Sequence, residues 1–246
     1  MNEAGVYTYG VIPDGVPLPA DRHGVGAPPA PLRLIPSGRI AVVVSDAPAN
    51  LRARRRDLLA HQELLLALAA LGPVVPMRFG MVSPDEETLL RDLAGAEAET
   101  TALLDHLAGR CEMNVKIATV EDGLASLLRE NEPLRRLRDQ ALARPGYEAS
   151  LRLGEAVSAG LTRRATEAAE HAVRVLAPLA VETAEGPASA ESVRNTSFLV
   201  AHEELPAFRA AAERLAARER LRMELRLTGP LPCYSFAEAR SDRAGV

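Results

Sequence analysis

The stretch Val6-Tyr7-Thr8-Tyr9-Gly10-Val11-Ile12, near the amino end of the chain, decides the fold. β-Branched and aromatic residues make up nearly all of it, which is typical of a strand. The segment 13–31 that follows is rich in proline and glycine and predicts an exposed loop. Two further strands are predicted at 32–35 and 39–45, joined by a tight turn at Ser37-Gly38. The first domain is therefore expected to be organised around a sheet.

Two helices are predicted after the hairpin. Leucine and alanine residues at helical spacing indicate the first helix, which Asn50 can cap and which ends at about Leu71. The stretch Ser83-Pro84-Asp85-Glu86 has the spacing of a capping box, with proline at the first helical position. It predicts a second helix that ends at about Ala108. The segment between the two helices is expected to be an extended strand, because the residues before Pro73 and Pro76 are biased away from the α region.

The stretch Cys111-Glu112-Met113-Asn114-Val115-Lys116-Ile117 alternates strictly between apolar and polar residues and predicts a strand with one solvated face. The order strand, hairpin, helix, strand, helix, strand favours an open, mostly antiparallel sheet with helices packed on one face. This is the ferredoxin-like α+β layout. We assign it to residues 1–120.

Residues 121–246 predict a second, helix-rich α+β domain that ends in a strand and a tail of prolines and aromatic residues. Apolar residues recur every three or four positions along its longest helix, as expected of a helix packed on a core. The predicted elements are helices at 124–143 (interrupted at Pro133), 147–180 and 203–220, and strands at 193–201 and 221–227.

The composition argues against several classes of partner. The chain has 246 residues, a formal net charge of −4 and a pI of about 5.8. Its overall negative charge therefore gives no electrostatic attraction to nucleic acid or anionic lipid. The longest apolar run, Leu64 to Leu71, is too short to cross a bilayer, and no secretory signal is recognisable. Cys111 and Cys233 are too far apart for a redox or metal motif. We expect a cytoplasmic protein that binds neither membrane nor nucleic acid.

The sequence contains no recognisable catalytic or cofactor motif. Glycine-rich phosphate loops, nucleophile elbows and zinc helices are absent, and His202-Glu203-Glu204-Leu205 lacks the second histidine that a zinc helix needs. The five histidines are scattered along the chain, so ordinary surface or core-edge positions are favoured for them. We predict no catalytic residue, no cofactor and no metal.

Two stiff apolar segments are the best candidates for contact with a partner. They are Leu227-Thr228-Gly229-Pro230-Leu231-Pro232-Cys233-Tyr234-Ser235-Phe236 and Val74-Val75-Pro76-Met77-Arg78-Phe79-Gly80-Met81-Val82. Prolines lower the entropy that such segments lose on ordering, so the segments suit either capping a core or gripping a partner. Arg78 can clamp a carbonyl or carboxylate, at a domain junction or in a partner. The partner-binding candidates are Arg78, Phe79, Pro232, Tyr234 and Phe236.

Five stretches, spread over nearly the whole chain, together form a recognisable series. They are Val6-Tyr7-Thr8-Tyr9-Gly10-Val11, Val75-Pro76-Met77-Arg78-Phe79-Gly80, Glu112-Met113-Asn114-Val115-Lys116-Ile117, Asn195-Thr196-Ser197-Phe198-Leu199-Val200 and Thr228-Gly229-Pro230-Leu231-Pro232-Cys233-Tyr234-Ser235-Phe236. In these stretches, and in their order, the chain resembles the gas vesicle protein GvpL/GvpF family.

The resemblance implies a two-domain α+β protein that acts without catalysis in building gas vesicles. Family members are regarded as minor components or assembly factors that contact the small amphipathic shell protein and other accessory proteins. The resemblance does not separate the L branch from the F branch. It implies a protein associated with gas vesicles, whose partners are the shell protein and other accessory proteins.

Two alternatives remain open at the level of sequence. A small enzyme on a ferredoxin-like scaffold predicts a closed pocket that contains a histidine or carboxylate with a strongly shifted pKa. A regulatory module that senses a small ligand through the same sheet is the other alternative.

Overall fold

A computed structural model of the chain describes residues 5–187, 189 and 191–237. The chain forms two compact units. Unit 2 is Met113–Gly229, and unit 1 comprises the described residues up to Glu112 together with those from Pro230 onward. The α+β class and the two-domain organisation expected from the sequence are confirmed. The units do not divide at the expected boundary after residue 120, because residues 113–120 belong to unit 2 and the tail belongs to unit 1.

Unit 1 is built on an antiparallel sheet with β1 near its centre. The strands lie in the order β2-β3-β1-β4, and β5 also pairs with β1. The register of β1 against β3 shifts between Thr8 and Gly10, so that Tyr9 is a bulge residue without a partner in β3. The strands are β1 (Val6–Pro13), β2 (Arg33–Ser37), β3 (Ile40–Asp46), β4 (Val75–Pro76) and β5 (Val82–Ser83).

The bulge changes which side chains of β1 share a face. Tyr7 and Tyr9 are two positions apart, and Ile12 is three further on, yet all three belong to one buried cluster. Strict alternation would place Ile12 on the opposite face from Tyr9, and the extra residue in β1 removes this conflict. The face that carries both tyrosines is therefore continuous with the core.

Two helices and a loop cover the sheet of unit 1. Helix α1 (Arg55–Leu71) contributes Leu64, Leu65 and Leu68 to the buried cluster that contains both tyrosines. Val25 of the 13–31 loop belongs to the same cluster. Val42 and Val44 of β3 are fully buried but lie outside that cluster. Helix α2 (Glu86–Leu107) contacts β1, β2 and β3. Residues on both faces of the sheet are thus removed from water.

Both helices of unit 1 begin later than the sequence predicts. Helix α1 starts at Arg55 rather than after Asn50, and the side chain of its N-cap residue Arg54 makes no capping hydrogen bond. Helix α2 is capped by Asp85, whose Oδ1 accepts from the backbone N–H of Thr88 at 2.7 Å. A carboxylate is an effective N-cap, and here it takes the role predicted for the capping box at Ser83.

Unit 2 contains the second sheet, in the order β7-β8-β6-β9. The strand at 110–118, which the sequence analysis placed in the first domain, belongs to this sheet. Its apolar face supplies Met113, Val115 and Ile117 to a core shared with the long helix α5. The strands are β6 (Arg110–Ala118), β7 (Glu182–Glu185), β8 (Arg194–Ala201) and β9 (Glu224–Leu231).

Helix α5 packs on this sheet with a stripe of small residues. Ala165, Ala168, Ala169 and Ala172 are at most 1% exposed, so the helix lies close to the strands. The predicted break at Pro133 is present, and Asn131 caps the following helix by accepting from the N–H of Leu134 at 3.0 Å. The helices are α3 (Leu124–Glu130), α4 (Glu132–Ala143), α5 (Tyr147–Leu176) and α6 (Leu205–Arg218).

Two glycine substitutions should change stability in opposite directions. A Cβ at Gly10 would lie 2.8 Å from the carbonyl oxygen of Val75, so Gly10→Ala should lower the free energy of unfolding by about 1–3 kcal/mol. A Cβ at Gly95, inside α2, meets nothing within 4 Å, so Gly95→Ala should raise it by about 0.5–1 kcal/mol. Chemical denaturation of both variants measures these changes. Equal shifts of the same sign would contradict the packing described for β1.

Candidate functional site

The second motif of the sequence forms one edge of the unit 1 sheet. We call residues 75–83 the edge segment. Its ends pair with β1, where Gly10 opposes Pro76 and Tyr7 opposes Val82. Between β4 and β5 the segment turns outward, and Arg78 and Met81 are exposed there. Met81 is 51% exposed and Val82 is 44% exposed, so this edge presents apolar surface next to a cation.

A chain of hydrogen bonds under the edge segment holds its backbone. Nε2 of His61 lies 2.9 Å from the carbonyl oxygen of Met77, which can only accept, so Nε2 carries the proton. Nδ1 of the neutral ring then accepts from the hydroxyl of Tyr7 at 2.9 Å. The backbone N–H of Gly80 donates to the same hydroxyl oxygen at 3.3 Å. Helix α1 and strand β1 thus fix both ends of the outward turn.

Tyr9 holds a second segment in the same way. Its hydroxyl accepts from the backbone N–H of Val25 at 2.7 Å and lies 2.9 Å from Oγ of Ser45. Ser45 in turn donates to the carbonyl oxygen of Asp46. The middle of the 13–31 segment, predicted as an exposed loop, is therefore packed on the core, and Val25 is fully buried.

Aromatic contacts close the space around these hydrogen bonds. The ring of His61 stacks on Tyr9 with centroids 5.5 Å apart, and the edge of Phe79 meets both Tyr7 and His61 at 5.9 and 5.8 Å. Tyr234 of the tail packs against the same group. We call Tyr7, Tyr9, His61 and Phe79 the aromatic cluster. Such ring pairs stabilise a core beyond the area they bury.

Burial changes the acid–base behaviour of the cluster. It raises the pKa of Tyr7 and of Tyr9, although the hydrogen bonds that their hydroxyls accept act in the opposite direction. It also lowers the pKa of His61, against the opposing effect of the bond to Met77. All three groups are therefore neutral near pH 7, and their polar atoms are used in holding backbone. Neutral side chains whose polar atoms are all hydrogen-bonded suit a structural role, that of holding neighbouring backbone segments in place.

His61 was missed as an important residue at the level of sequence, where ordinary surface or core-edge positions were favoured for every histidine. It is 3% exposed. Its position on α1 carried a signal, because His61 falls on the same helical stripe as Leu64, Leu65 and Leu68. A histidine within an apolar stripe must find partners for both ring nitrogens.

The stability of the protein should fall as the pH drops below the ordinary pKa of histidine. The pKa of His61 is lower in the folded state than in the unfolded chain, so the unfolded state binds the proton first and is stabilised relative to the folded state as the pH falls. This loss of stability begins near pH 6.5 and continues down to the folded-state pKa. His61→Gln should remove this part of the pH dependence. Urea denaturation between pH 5 and 8 gives the free energy of unfolding of the wild type and of the His61→Gln variant. If this free energy changes with pH in the same way in both proteins, His61 is not the source of the pH dependence.

Residues 230–237, which we call the tail, belong to unit 1, and most of their side chains are at least partly buried. Pro232 is buried, and Cys233 and Phe236 are 5% and 1% exposed, so the tail acts as a cap on the core in this conformation. Burial raises the pKa of Cys233 to about 12, helped by the nearby charge of Glu112. Such a thiol is unreactive near neutral pH. Residues 234–237 form a helical turn.

A buried carboxylate fixes this helical turn. Glu112 was predicted to face solvent, but it is 4% exposed and accepts from the backbone N–H of Ser235 at 2.9 Å and from the hydroxyl of Ser235 at 2.7 Å. Hydrogen bonds to an ionised acceptor are the stronger class. The alternation of the strand was read correctly, but the tail covers this residue.

Glu112→Gln should lower the free energy of unfolding by about 1.5–3 kcal/mol. The amide carries no charge, and its NH₂ group would face the N–H or O–H of Ser235, which are also donors. Glu148→Gln, on the exposed surface of α5, is the matched control and should change stability very little. Thermal and chemical denaturation measure both. A Glu112→Gln protein as stable as the control would show that the tail is not held by this carboxylate.

The five predicted partner-binding residues are brought together only in part. Phe79 and Tyr234 pack against the same core, and Arg78 is exposed on the turn beside Phe79. Pro232 and Phe236 are interior, whereas Phe79 and Tyr234 are partly exposed. A partner-binding role for the five residues stays a prediction.

Charged residues line a cavity of unit 1 where the 13–31 loop meets helix α1. The cavity has a volume of about 460 Å³ and is lined by Arg54, Arg56 and Asp57, among others. Burial would raise the pKa of Asp57, but the hydrogen bond from Gly26 and the charges of Arg56 and Arg54 outweigh it, so the pKa is lowered. Asp57 is thus an ionised carboxylate that holds the loop to α1.

Among the described residues, no group of three or more histidine, cysteine or acidic side chains is close enough to hold a metal ion. Within the same residues, none of the helices combines the length and apolar character needed to cross a membrane.

Comparison with known proteins identifies the family. The model of the family described as gas vesicle synthesis protein GvpL/GvpF matches residues 5–238. The chain belongs to this family. The match includes both units, the edge segment and the tail.

Curated relatives agree with this assignment. The chain is 39% identical to gas vesicle protein F of Streptomyces sp. (strain CB03234), over 94% of this chain and 99% of that protein. It is 30% identical to gas vesicle protein F2 of Halobacterium salinarum, over 97% and 94%. Gas vesicle protein L of the same Streptomyces strain matches at 32% identity, over 54% of each chain.

Solved structures show the same fold. The crystal structure of GvpF from Anabaena sp. PCC7120 superposes with a TM-score of 0.77 at 26% identity, covering 95% of this chain and 98% of that one. GvpF from Microcystis aeruginosa gives 0.74 at 23% identity, covering 95% and 99%, which supports the fold alone. Membership of the family gives the protein a role related to gas vesicles, and this family name does not describe a class of enzymes.

Proposed function

We propose that this protein is a non-enzymatic accessory or minor structural component of cytoplasmic gas vesicles, which binds the small hydrophobic shell protein and supports vesicle assembly. The observation that carries the proposal is the match of the family described as gas vesicle synthesis proteins to residues 5–238. Other accessory proteins of the vesicle are further partners in this proposal.

The edge segment supports this role physically. An apolar shell subunit needs a partner that covers its surface before assembly, and an apolar patch on an otherwise hydrophilic protein can do so. Met81 and Val82 supply such a patch beside Arg78, and the aromatic cluster beneath them fixes the backbone in advance. A pre-ordered surface loses less entropy on binding than a flexible one.

The alternatives of a small enzyme and a ligand sensor have less support. Tyr7, Tyr9 and His61 are the most chemically promising group in unit 1, but each hydroxyl or ring nitrogen among them is hydrogen-bonded within the protein. A catalytic acid or base needs a proton-transfer path to a substrate, and these groups lie under the edge segment.

The general role is tested by deleting the gene from its natural host or from a complete gas vesicle gene set in a heterologous host. Loss of intact vesicles in electron micrographs, restored by the wild-type gene, is expected. Normal vesicles in normal number without the gene would overturn the proposed function.

The binding surface is tested separately, with co-expressed tagged protein and shell protein from the same organism. The double variant Arg78→Ala, Met81→Asp should retain at least about tenfold less shell protein than wild type, because it removes a cation and places a charge in the apolar patch. The matched control is Arg144→Ala, Leu142→Asp, which makes the same changes at exposed positions of unit 2.

Thermal unfolding must first show that both double variants are folded. Equal retention of shell protein by the two variants and wild type would exclude the edge segment as the binding surface. That result would leave the deletion experiment to decide the general role.

A further inference from the structure

Helix α5 has a long face that no other described element covers. It is 30 residues long, and only the side that carries Ala165, Ala168 and Ala172 is buried in unit 2. On the opposite side, Arg152, Glu155, Ala159, Arg163 and Thr166 recur at helical spacing and are all exposed. We call these five residues, together with Glu167, the outer face of α5.

The charges of the outer face are arranged antisymmetrically about Ala159. Glu155 lies four positions before this residue, and Arg163 lies four positions after it. Further out, Arg152 lies seven positions before it and Glu167 eight positions after it. Glu155 and Arg163 therefore have opposite signs at matching positions, and the outer residues Arg152 and Glu167 have opposite signs at positions that match to within one residue.

The inner charge pair, Glu155 and Arg163, lacks partners among the described residues. Most charged residues of α4 and α5 near this region are paired, such as Arg152 with Glu148 and Arg136 with Glu132. Glu155 and Arg163 make no hydrogen bond or ion pair with any residue in the described part of the chain. They are about 12 Å apart along the helix, too far to neutralise each other.

The centre of the outer face allows close approach. Gly154, Ser158, Ala159 and Thr162 form the floor of an open, shallow depression that Glu155 and Arg163 border. Beside it, a groove of about 230 Å³ between α4 and α5 is lined by Leu134, Leu137 and Ala156. A helix can pack on such a surface at the short end of the usual 8–10 Å interaxial range.

We propose that two copies of this protein associate through the outer face of α5, with the helices antiparallel and the two-fold axis at Ala159. An isologous contact requires a surface complementary to itself, and antisymmetric charges about one residue meet this requirement. Glu155 of each copy then faces Arg163 of the other, while Arg152, seven positions from the axis, lies near Glu167, eight positions from it. This association goes beyond the proposed function and is independent of the shell protein.

The contact is expected to be weak and reversible. Its centre is made of small side chains, and exposed ion pairs contribute little each. Interfaces that bury less than about 1,200 Å² are typical of transient contacts. At its ends, Glu148 would oppose Glu170, but crossing helices diverge there and exposed like charges at a distance cost little.

Cysteine cross-linking of the purified protein, without any other gas vesicle protein, tests the proposal. Ala159→Cys places two thiols at the axis, so mild oxidation should give disulfide-linked dimers. Ser150→Cys, at another exposed position of α5, is the control and should give far fewer. Cys111 and Cys233 are buried and should contribute little background.

Charge reversal provides the second arm, in the Ala159→Cys background. Glu155→Arg alone and Arg163→Glu alone should each reduce the rate of cross-linking at least about threefold, because like charges then face each other. An equal mixture of the two single variants should recover the rate by forming mixed dimers, since both charge pairs are restored across the axis. Circular dichroism verifies that every variant is folded.

Two cross-linking results would overturn the proposal. One is cross-linking of Ala159→Cys no faster than that of Ser150→Cys. The other is a mixture of the charge variants that cross-links no faster than either variant alone. Sedimentation of the wild-type protein over a range of concentrations should show a reversible monomer–dimer equilibrium, and a monomer up to the highest soluble concentration would also contradict the inference.

Discussion

Two tyrosine hydroxyls inside unit 1 must find hydrogen-bond partners in a space closed to water, and the surrounding structure follows from how they do so. The bulge at Tyr9 places both rings on the face of β1 that α1 covers. Tyr7 then reaches the edge segment through Gly80 and, by way of His61, Met77. Tyr9 reaches the 13–31 loop through Val25. The turn between β4 and β5 and the middle of the 13–31 loop are thereby fixed to the sheet.

This arrangement changes the meaning of the motifs that characterise the chain. Their aromatic residues and prolines lie largely inside unit 1, where they hold backbone, and few of their side chains are left for contact with another molecule. The surface that remains is small, pre-ordered and partly apolar. A small patch of this kind limits self-association, because a larger exposed apolar patch would promote aggregation.

Unit 2 is held together by close packing of small residues. Its long helix α5 packs on the sheet through alanines, which bring the helix backbone close to the strands. The other side of the helix is exposed to solvent. Buried Arg164 ties the start of this core to α3 by donating to the carbonyl oxygen of Gly123 and to the hydroxyl of Ser126. The exposed side can therefore vary in charge without cost to the core, and it is here that the antisymmetric order of charges occurs.

The sequence by itself determined the α+β class, the hairpin, most helices and strands, and the family, because local periodicity and five ordered motifs carry that information. It did not determine that the strand at 110–118 joins the second sheet, that Glu112 is buried under the tail, or that His61 links Tyr7 to Met77. Each of these depends on contacts between residues distant in the chain. Alternation gives the face on which a side chain lies, but only the tertiary structure decides what covers that face.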